Sequence, residues 1–311
     1  MIRHILPVGA ELDARRLEAF IGAHRTQAAD KRTLYDYYHG NVTVDKGDVA
    51  GGRPNNQAYT NLAKYITDTA TGYFVGVPPV YTVSEGEDVF SPIFDANDET
   101  SVNYAIAEDM SICGVGYDIV WLDEAGSVRI KELDPLSVFT VRAPTVDQPA
   151  LYAVRLYDVV DGATTATYGE LYSRHSIRYF TLEGGAVRFG EEEAHFFGAV
   201  PITEYPNSRF YTGDFEAVLK NIDQYNLTLS NATDDLQSIA NAYLAIVGMM
   251  GTEQEDIDEM NRTRVALLAE QGQMQFVTKN LDSTAVENHK DTLRQDIFRV
   301  AGVPDLSDAF F

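Results

Sequence analysis

The stretch that decides the fold runs from Asp214 to Gly248, DFEAVLKNIDQYNLTLSNATDDLQSIANAYLAIVG. Counted in sevens, one row reads Phe215, Ile222, Leu229, Leu236, Tyr243. The row three residues on reads Val218, Tyr225, Ala232, Ile239, Ile246. Both rows are apolar or aromatic throughout, the two-row seam of a long helix that packs on other helices. Asn, Asp, Ser, Thr and Gln make up the opposite face. Twelve residues of the stretch are Asn, Asp, Ser or Thr, each about 0.5 kcal/mol worse than Ala in a helix, or about 6 kcal/mol together. Half-burying ten seam side chains at about 1.5 kcal/mol each contributes about 15 kcal/mol. Packing outweighs propensity, but only where something covers the seam. At ~1.5 Å per residue the helix is about 45 Å long, long for a globular interior. Periodicity alone fits two arrangements: the central core helix of one large domain, or a stalk.

Downstream, Ala242–Val247 is short and apolar enough for a strand. Thr252–Arg262 reads as a short acidic helix, and Arg264–Glu270 and Gln273–Lys279 as strands joined at Gln271-Gly272. Asp282-Ser283-Thr284 offers a helix N-cap. The closing helix runs to about Ala301, with Val286, Leu293 and Val300 seven apart and Ile297 between them; Gly302 and Pro304 end it. A small module thus lies between two long amphipathic helices, as a tip on a stalk. Upstream, residues 80–205 are mostly sheet. Tyr117–Leu122, Asp123–Gly126 and Ser127–Ile130 give a hairpin signal, and strands follow at Ser137–Val141, Leu151–Tyr157, Tyr168–Tyr172, Ser176–Leu182 and Ala186–Phe189. Helices are expected over 98–112, over Tyr59–Gly72 with a short strand at Val80–Val83 beyond Pro78-Pro79, and over 11–38 up to His39-Gly40-Asn41. In this first segment Leu12, Leu17, Phe20 and Ile21 form the apolar face, with the basic residues elsewhere. Between the first two helices, Lys46-Gly47-Asp48 and Gly51–Asn56 carry turn chemistry.

The chain of 311 residues is 45% hydrophobic with 18 Tyr and 15 Phe, enough for a sizeable core. No apolar run approaches the roughly 20 residues that span a bilayer. The first residues, MIRHILPVGAELDARRLEAF, have too short an apolar stretch for a signal peptide, and a lone Cys113 excludes an intrachain disulfide framework. Together these suit a cytoplasmic protein. The net charge of −23 argues against a conventional DNA binder, which gains affinity by neutralising phosphates.

Chemistry-bearing patterns are weak. Gly114-Val115-Gly116 lacks the third Gly and the Lys-Ser/Thr of a phosphate loop. The six His residues include no pair at i, i+3 or i+4, so a metal site built from them is not indicated. Asp234-Asp235 and the run Glu253, Glu255, Asp256, Asp258, Glu259 diverge around their helices and read as solvated faces. Cys113 has no nearby basic partner and reads as a buried inert thiol. No catalytic, cofactor-binding or metal-binding residue is assigned. A rival reading is an acidic soluble hydrolase with paired carboxylates of raised pKa.

A resemblance enters through Phe197-Gly198, Val200-Pro201-Ile202, Tyr205-Pro206-Asn207, Asp214-Phe215-Glu216 and Ile222–Asn226, continuing through Ser230, Asp234-Asp235 and Ala240–Leu244 to Gly248. Lesser matches are Tyr37–Gly40, Asn61–Ile66, Gly72–Pro78 and Phe298–Asp305. In these residues the chain resembles the portal proteins of tailed bacteriophages, in the group typified by the portal of the Bacillus phage SPP-one. The resemblance implies an α+β subunit of a ring, usually of twelve copies, at one capsid vertex. It implies a wing over 1–213, a first stem helix over 214–242, a clip over 243–281, a second stem helix over 282–301, and the start of a tunnel-loop region over 302–311. The family continues past Leu306-Ser307-Asp308, so the rest of the wing and the crown are expected to be missing by truncation. Subunit contacts are then expected at Phe215, Val218, Ile222, Tyr225, Leu229, Ile239 and Tyr243. Asp223, Asp234 and Asp235 become candidates for a polar channel face, and Leu267 and Phe276 for the clip. No enzyme activity and no cofactor are implied. Partners would be copies of itself, terminase, capsid and scaffolding proteins, head-completion or adaptor proteins, and double-stranded DNA passing without specific binding. No membrane is implied; the location would be the virion, after assembly in the host cytoplasm. Another phage head or adaptor component is a second rival.

Overall fold

The computed structural model describes residues 4–7, 9–47, 54–83, 88–162, 164–240, 243–247, 258, 273–277 and 283–306, with backbone alone at 238–240, 243–247 and 273–277. The architecture is α+β. Two compact units emerge: one holds residues 1–42, 61–220 and 297–311, the other 43–60 and 221–296.

In the first unit, helix α1 (Ala14–His39) is one continuous helix. The Asp13 carboxylate accepts from the Arg16 N–H at 2.8 Å at its start, and Gly40, with φ of 73°, ends it. Its buried stripe repeats every seven residues as Leu17, His24, Lys31 and Tyr38, with Ile21 and Leu34 between. The expectation that its basic residues lie off the packed face fails at Lys31, which is 6% exposed. Helices α2 (Leu62–Val75), α3 (Ser91–Ala96) and α4 (Glu99–Cys113) follow. Asn61 caps α2 by accepting from the Lys64 N–H. Gly72 does not break that helix, which runs to Val75, and Val80–Val83 is not a strand. Pro78 and Pro79 have no N–H to offer a neighbouring strand.

The strands are β1 (His4–Ile5), β2 (Val115–Leu122), β3 (Val128–Leu133), β4 (Val138–Arg142), β5 (Ala150–Asp161), β6 (Thr164–Tyr172), β7 (Ser176–Glu183), β8 (Ala186–Ala194) and β9 (Ile202–Pro206). One sheet has the order β1-β4-β5-β6-β7-β8, with β1 parallel to β4 and the rest an antiparallel meander. The other is β3-β2-β9, all antiparallel. Leu17 and Ile21 of α1 join Phe139, Val141, Val154 and Phe180 of the larger sheet in the main core. The rejected phosphate loop has a packing explanation. Gly114 ends α4 at φ of 81°, and a Cβ there would lie 2.2 Å from the Tyr211 carbonyl oxygen. At Gly116 a Cβ would lie 2.7 Å from the Ile106 carbonyl oxygen. Both glycines let backbone approach backbone.

Polar side chains bridge the two sheets of this unit. Glu204 on β9 accepts from Arg142 at 2.8 Å, Tyr211 at 2.5 Å, Tyr117 at 3.4 Å and also Thr140. These bonds tie β4 of the larger sheet to β2 and β9 of the smaller. Tyr35 on α1 donates to Asp109 on α4 at 2.5 Å. Cys113 is 2% exposed; contrary to expectation it has a basic neighbour, Lys31, but burial outweighs that charge and pushes the thiol up to about 11.

Helix α5 (Leu219–Ala240), preceded by a 3-10 turn at Glu216–Val218, gives most of its length to the second unit. Strand β10 (Tyr243–Val247) pairs antiparallel with β11 (Gln273–Val277), with Leu244 opposite Phe276. Helix α6 (Ser283–Ala301) closes the chain. The expected acidic helix at 252–262, apart from Asp258, and the strand at 264–270 lie outside the described residues. Residues 43–60 cluster with α5, and their backbone bonds to its side chains.

Candidate functional site

Within the second unit, the buried stripe of α5 passes from apolar Ile222 to polar Asn226 and Ser230, while later apolar side chains keep surface. Asn226 and Ser230 are 2% and 0% exposed, whereas Leu236 is 61% exposed and Tyr225, Leu229 and Ala232 are only half-buried. The covering element is the extended segment 54–60. Thr60 N–H donates to Asn226 Oδ1 at 2.8 Å. Ser230 Oγ accepts from Ala58 N–H at 3.0 Å and donates back to the Ala58 carbonyl at 2.9 Å. Asp234 Oδ1 accepts from both the backbone and side-chain nitrogens of Asn56 at 2.8 Å, while Lys46 closes an ion pair on its other oxygen. Asn56 also donates to Gln237 at 2.7 Å. Every fourth residue of the helix, 226, 230 and 234, thus meets every second residue of the strap, 60, 58 and 56. The periods match: four helical residues rise about 6.0 Å and two extended ones about 6.6 Å.

The electrostatics follow from this ladder. Burial tends to push the Asp234 carboxyl up, but the bonds from Lys46 and Asn56 outweigh it and hold it below its ordinary value. The Tyr59 hydroxyl is pushed up by burial and by the Asp223 carboxylate. Strap amides that would otherwise be bare are satisfied by side chains. Holding α5 from its polar side leaves its apolar row facing outward. The arrangement presents a surface and contains no reacting groups; among the described residues no three His, Cys, Asp or Glu could hold a metal ion. Asp109 and Asp118 have raised carboxyl pKa values, both chiefly through burial. They bond to Tyr35 and Tyr205 respectively, as packing pairs of the first unit.

The family model for "Phage portal protein, SPP1 Gp6-like" matches residues 17–311. This chain belongs to that family. The portal protein of Clostridium phage phiCD119 (strain Clostridium difficile/United States/Govind/2006) is 20% identical, across 81% of this chain and 62% of the relative. The chain therefore spans less than two thirds of that portal protein's length. A chain from the neck of an empty gene transfer agent particle, computed with C6 symmetry, matches 81% of this chain and 69% of its own, with a TM-score of 0.50 and 14% identity. A chain from the virion of a native gene transfer agent particle matches 91% and 72%, with a TM-score of 0.50 and 13% identity. At these identities the likeness is one of fold.

Set beside the portal expectations, the stem seam divides. Phe215, Val218 and Ile222 are 0%, 1% and 0% exposed. They were expected to touch a neighbouring subunit, but no surface is left for one; they are packed inside their own chain. Tyr225 and Leu229 retain surface. Ile239 lies on α5 with its side chain outside the description, and Tyr243 opens β10 opposite Val277 instead of continuing the helical row. Asp223 is exposed and Asp235 partly buried, while Asp234 is engaged by the strap. Phe276 is on β11, and Leu267 lies outside the described residues. The strap residues Lys46, Asn56, Ala58 and Thr60 were missed, because Gly51–Asn56 reads as a turn-rich loop. The signal was on the helix: polar residues at 226, 230 and 234 continue the four-residue spacing of Val218 and Ile222.

Proposed function

We propose that this chain is the ring-forming subunit of a phage portal, set at one vertex of the head, with a channel through which DNA is packaged and ejected. In this reading the first unit supplies the wing, α5 and α6 the stem, and β10 and β11 the clip. Neighbouring copies cover the outward row Tyr225, Leu229, Ala232 and Leu236, in a head-to-tail contact that closes a ring, taken as twelve copies. Terminase docks on the clip during packaging and adaptor proteins later, with capsid and scaffolding proteins around the wing. The net charge of −23 suits a channel that DNA crosses without adhering, since each exposed cation would add a phosphate attraction. Asp223 and Asp235 are the stronger candidates for that lining, because Asp234 is neutralised by Lys46.

The burial of α5 carries the reading: the strap bonds Asn226, Ser230 and Asp234 within the subunit, while Tyr225, Leu229, Ala232 and Leu236 keep surface. Negative-stain microscopy with light-scattering mass of the purified protein tests it. Rings with a central hole and no filter retention of duplex DNA at physiological salt are expected. A monomer at all concentrations, or firm DNA binding, would count against it.

A further inference from the structure

We propose that the uncharged segment Val77-Pro78-Pro79-Val80 of one copy docks into an aromatic groove beside Trp121 and Phe196 of a second copy. Residues 69–83, TATGYFVGVPPVYTV, contain no charge in a chain of net charge −23. Tyr73, Val77 and Val80 are 95%, 85% and 89% exposed. Single exposed apolar residues are ordinary, but a contiguous run marks a contact surface. The segment is held at both ends. Helix α2 precedes it, and Tyr81 bonds to Glu99 and packs its ring 4.8 Å from Phe94. Such an arch loses little freedom on binding. Adjacent prolines favour the polyproline II form, whose three-residue turn places Val77, Val80 and Val83 along one edge.

The receptor is on the same unit. A groove of about 580 Å³ has an aromatic wall of Trp121, Tyr179, Phe196 and Phe197, with Lys131 and Glu193 also along its lining. Its rim is open, with Phe196 94% exposed. Proline-rich segments dock in aromatic-lined grooves of this kind. At the groove edge the His195 ring is held by a 3.0 Å hydrogen bond between Nε2 and the Ser173 carbonyl. The exposure of Val77 and Val80 shows that they do not fill the groove of their own chain. Copies carrying −23 each repel one another, so contact through an uncharged arch on an aromatic wall is the favoured approach. Two different patches in contact make a heterologous interface, which closes into a ring or runs on. The inference rests on the ring reading above.

The experiment places photoreactive benzoylphenylalanine at position 80 of an unlabelled chain and mixes it with ¹⁵N-labelled unmodified chain before assembly. The expected products are mixed-isotope crosslinks to peptides 119–122 or 193–201. A second arm measures association of Val80→Asp, an exposed position where folding is unaffected, and of Trp121→Ala. Each should weaken it about tenfold, as loss of one buried apolar side chain implies. Rings that form with no such crosslink, or with crosslinks only within one chain or to another surface, overturn the inference and leave the ring reading standing. Absence of both rings and crosslinks overturns the two together.

Discussion

The two compact units differ in how they cover their apolar side chains. In the first, apolar residues fill the interior, and Glu204, the charge at its centre, has four donors around it. In the second, α5 buries the polar Asn226 and Ser230 as deeply as the apolar Ile222, while Leu236 faces outward. The first pattern is that of a self-sufficient domain. The second leaves apolar side chains with surface on a helix that, being rich in Asn, Asp, Ser and Thr, is stabilised mainly by packing.

The largest expected effect attacks the outward row. Leu229→Asp combined with Leu236→Asp places two charges where neighbouring copies are expected to meet. Each lost Leu contact is about 1.5–3 kcal/mol per subunit, before the cost of burying a carboxylate. Sedimentation should show loss of rings, while circular dichroism shows an intact subunit. Rings that survive the double substitution would end the reading of α5 as an interface, and with it the contrast between the units.

Glu204→Ala tests the other side of the comparison. It removes the acceptor shared by Arg142, Tyr117, Thr140 and Tyr211, at about 3 kcal/mol. The whole first unit should unfold at lower urea, because the side chain joins both sheets. A change under about 1 kcal/mol would mean that the network is solvated and that the first unit is less self-contained than argued.

The sharpest local test is Ser230→Ala. Both polar groups of Ala58 lose their partner, at about 1–3 kcal/mol. The effect should appear as faster hydrogen exchange at Ala58 and Thr60, with first-unit unfolding unchanged. If the first unit shifts equally, the strap is not confined to the second.

Legibility in the sequence follows the same division. Hydrophobic period found α5, α6 and the sheet-rich region, because there apolar spacing and burial coincide. It missed the polar members of the α1 stripe, His24 and Lys31, since their burial depends on carbonyls at Leu136 and Pro135 that are distant in sequence. It missed β9, a short strand fixed by pairing with β2, and it read Val80–Val83 as a strand on composition alone. The strap was illegible for a related reason: its role lies in backbone amides, which carry no sequence signature. Family motifs led to portal membership, yet they did not separate the buried start of the seam from its exposed remainder. That distinction needs coordinates, because Phe215 and Leu229 have the same heptad position and opposite fates.

The smallest effect concerns pH and belongs to the first unit alone. Burial pushes Asp109 up to about 7, reinforced by the carboxylates of Asp134, Glu108 and Glu132 and opposed by the Tyr35 hydrogen bond. Its folded form holds a proton that the unfolded chain releases near pH 4, so its stabilising contribution is full below that point and is lost as pH rises through 7. His4 and His24 act in the opposite sense. Burial lowers each to about 4, with Lys31 adding to the effect; Glu204 opposes it at His4, and the Leu136 carbonyl at His24. Stability from the two imidazoles is present above their unfolded value of 6.5 and lost as pH falls toward 4. Between pH 4.5 and 6 the two histidines therefore outweigh the one carboxyl, and stability rises with pH. Asp109→Asn removes the opposing slope, so the rise should steepen by about 1.4 kcal/mol per pH unit, read from urea midpoints across that window. An unchanged slope would place Asp109 in contact with water, and would remove it from the buried, internally paired polar groups that set the first unit apart from α5.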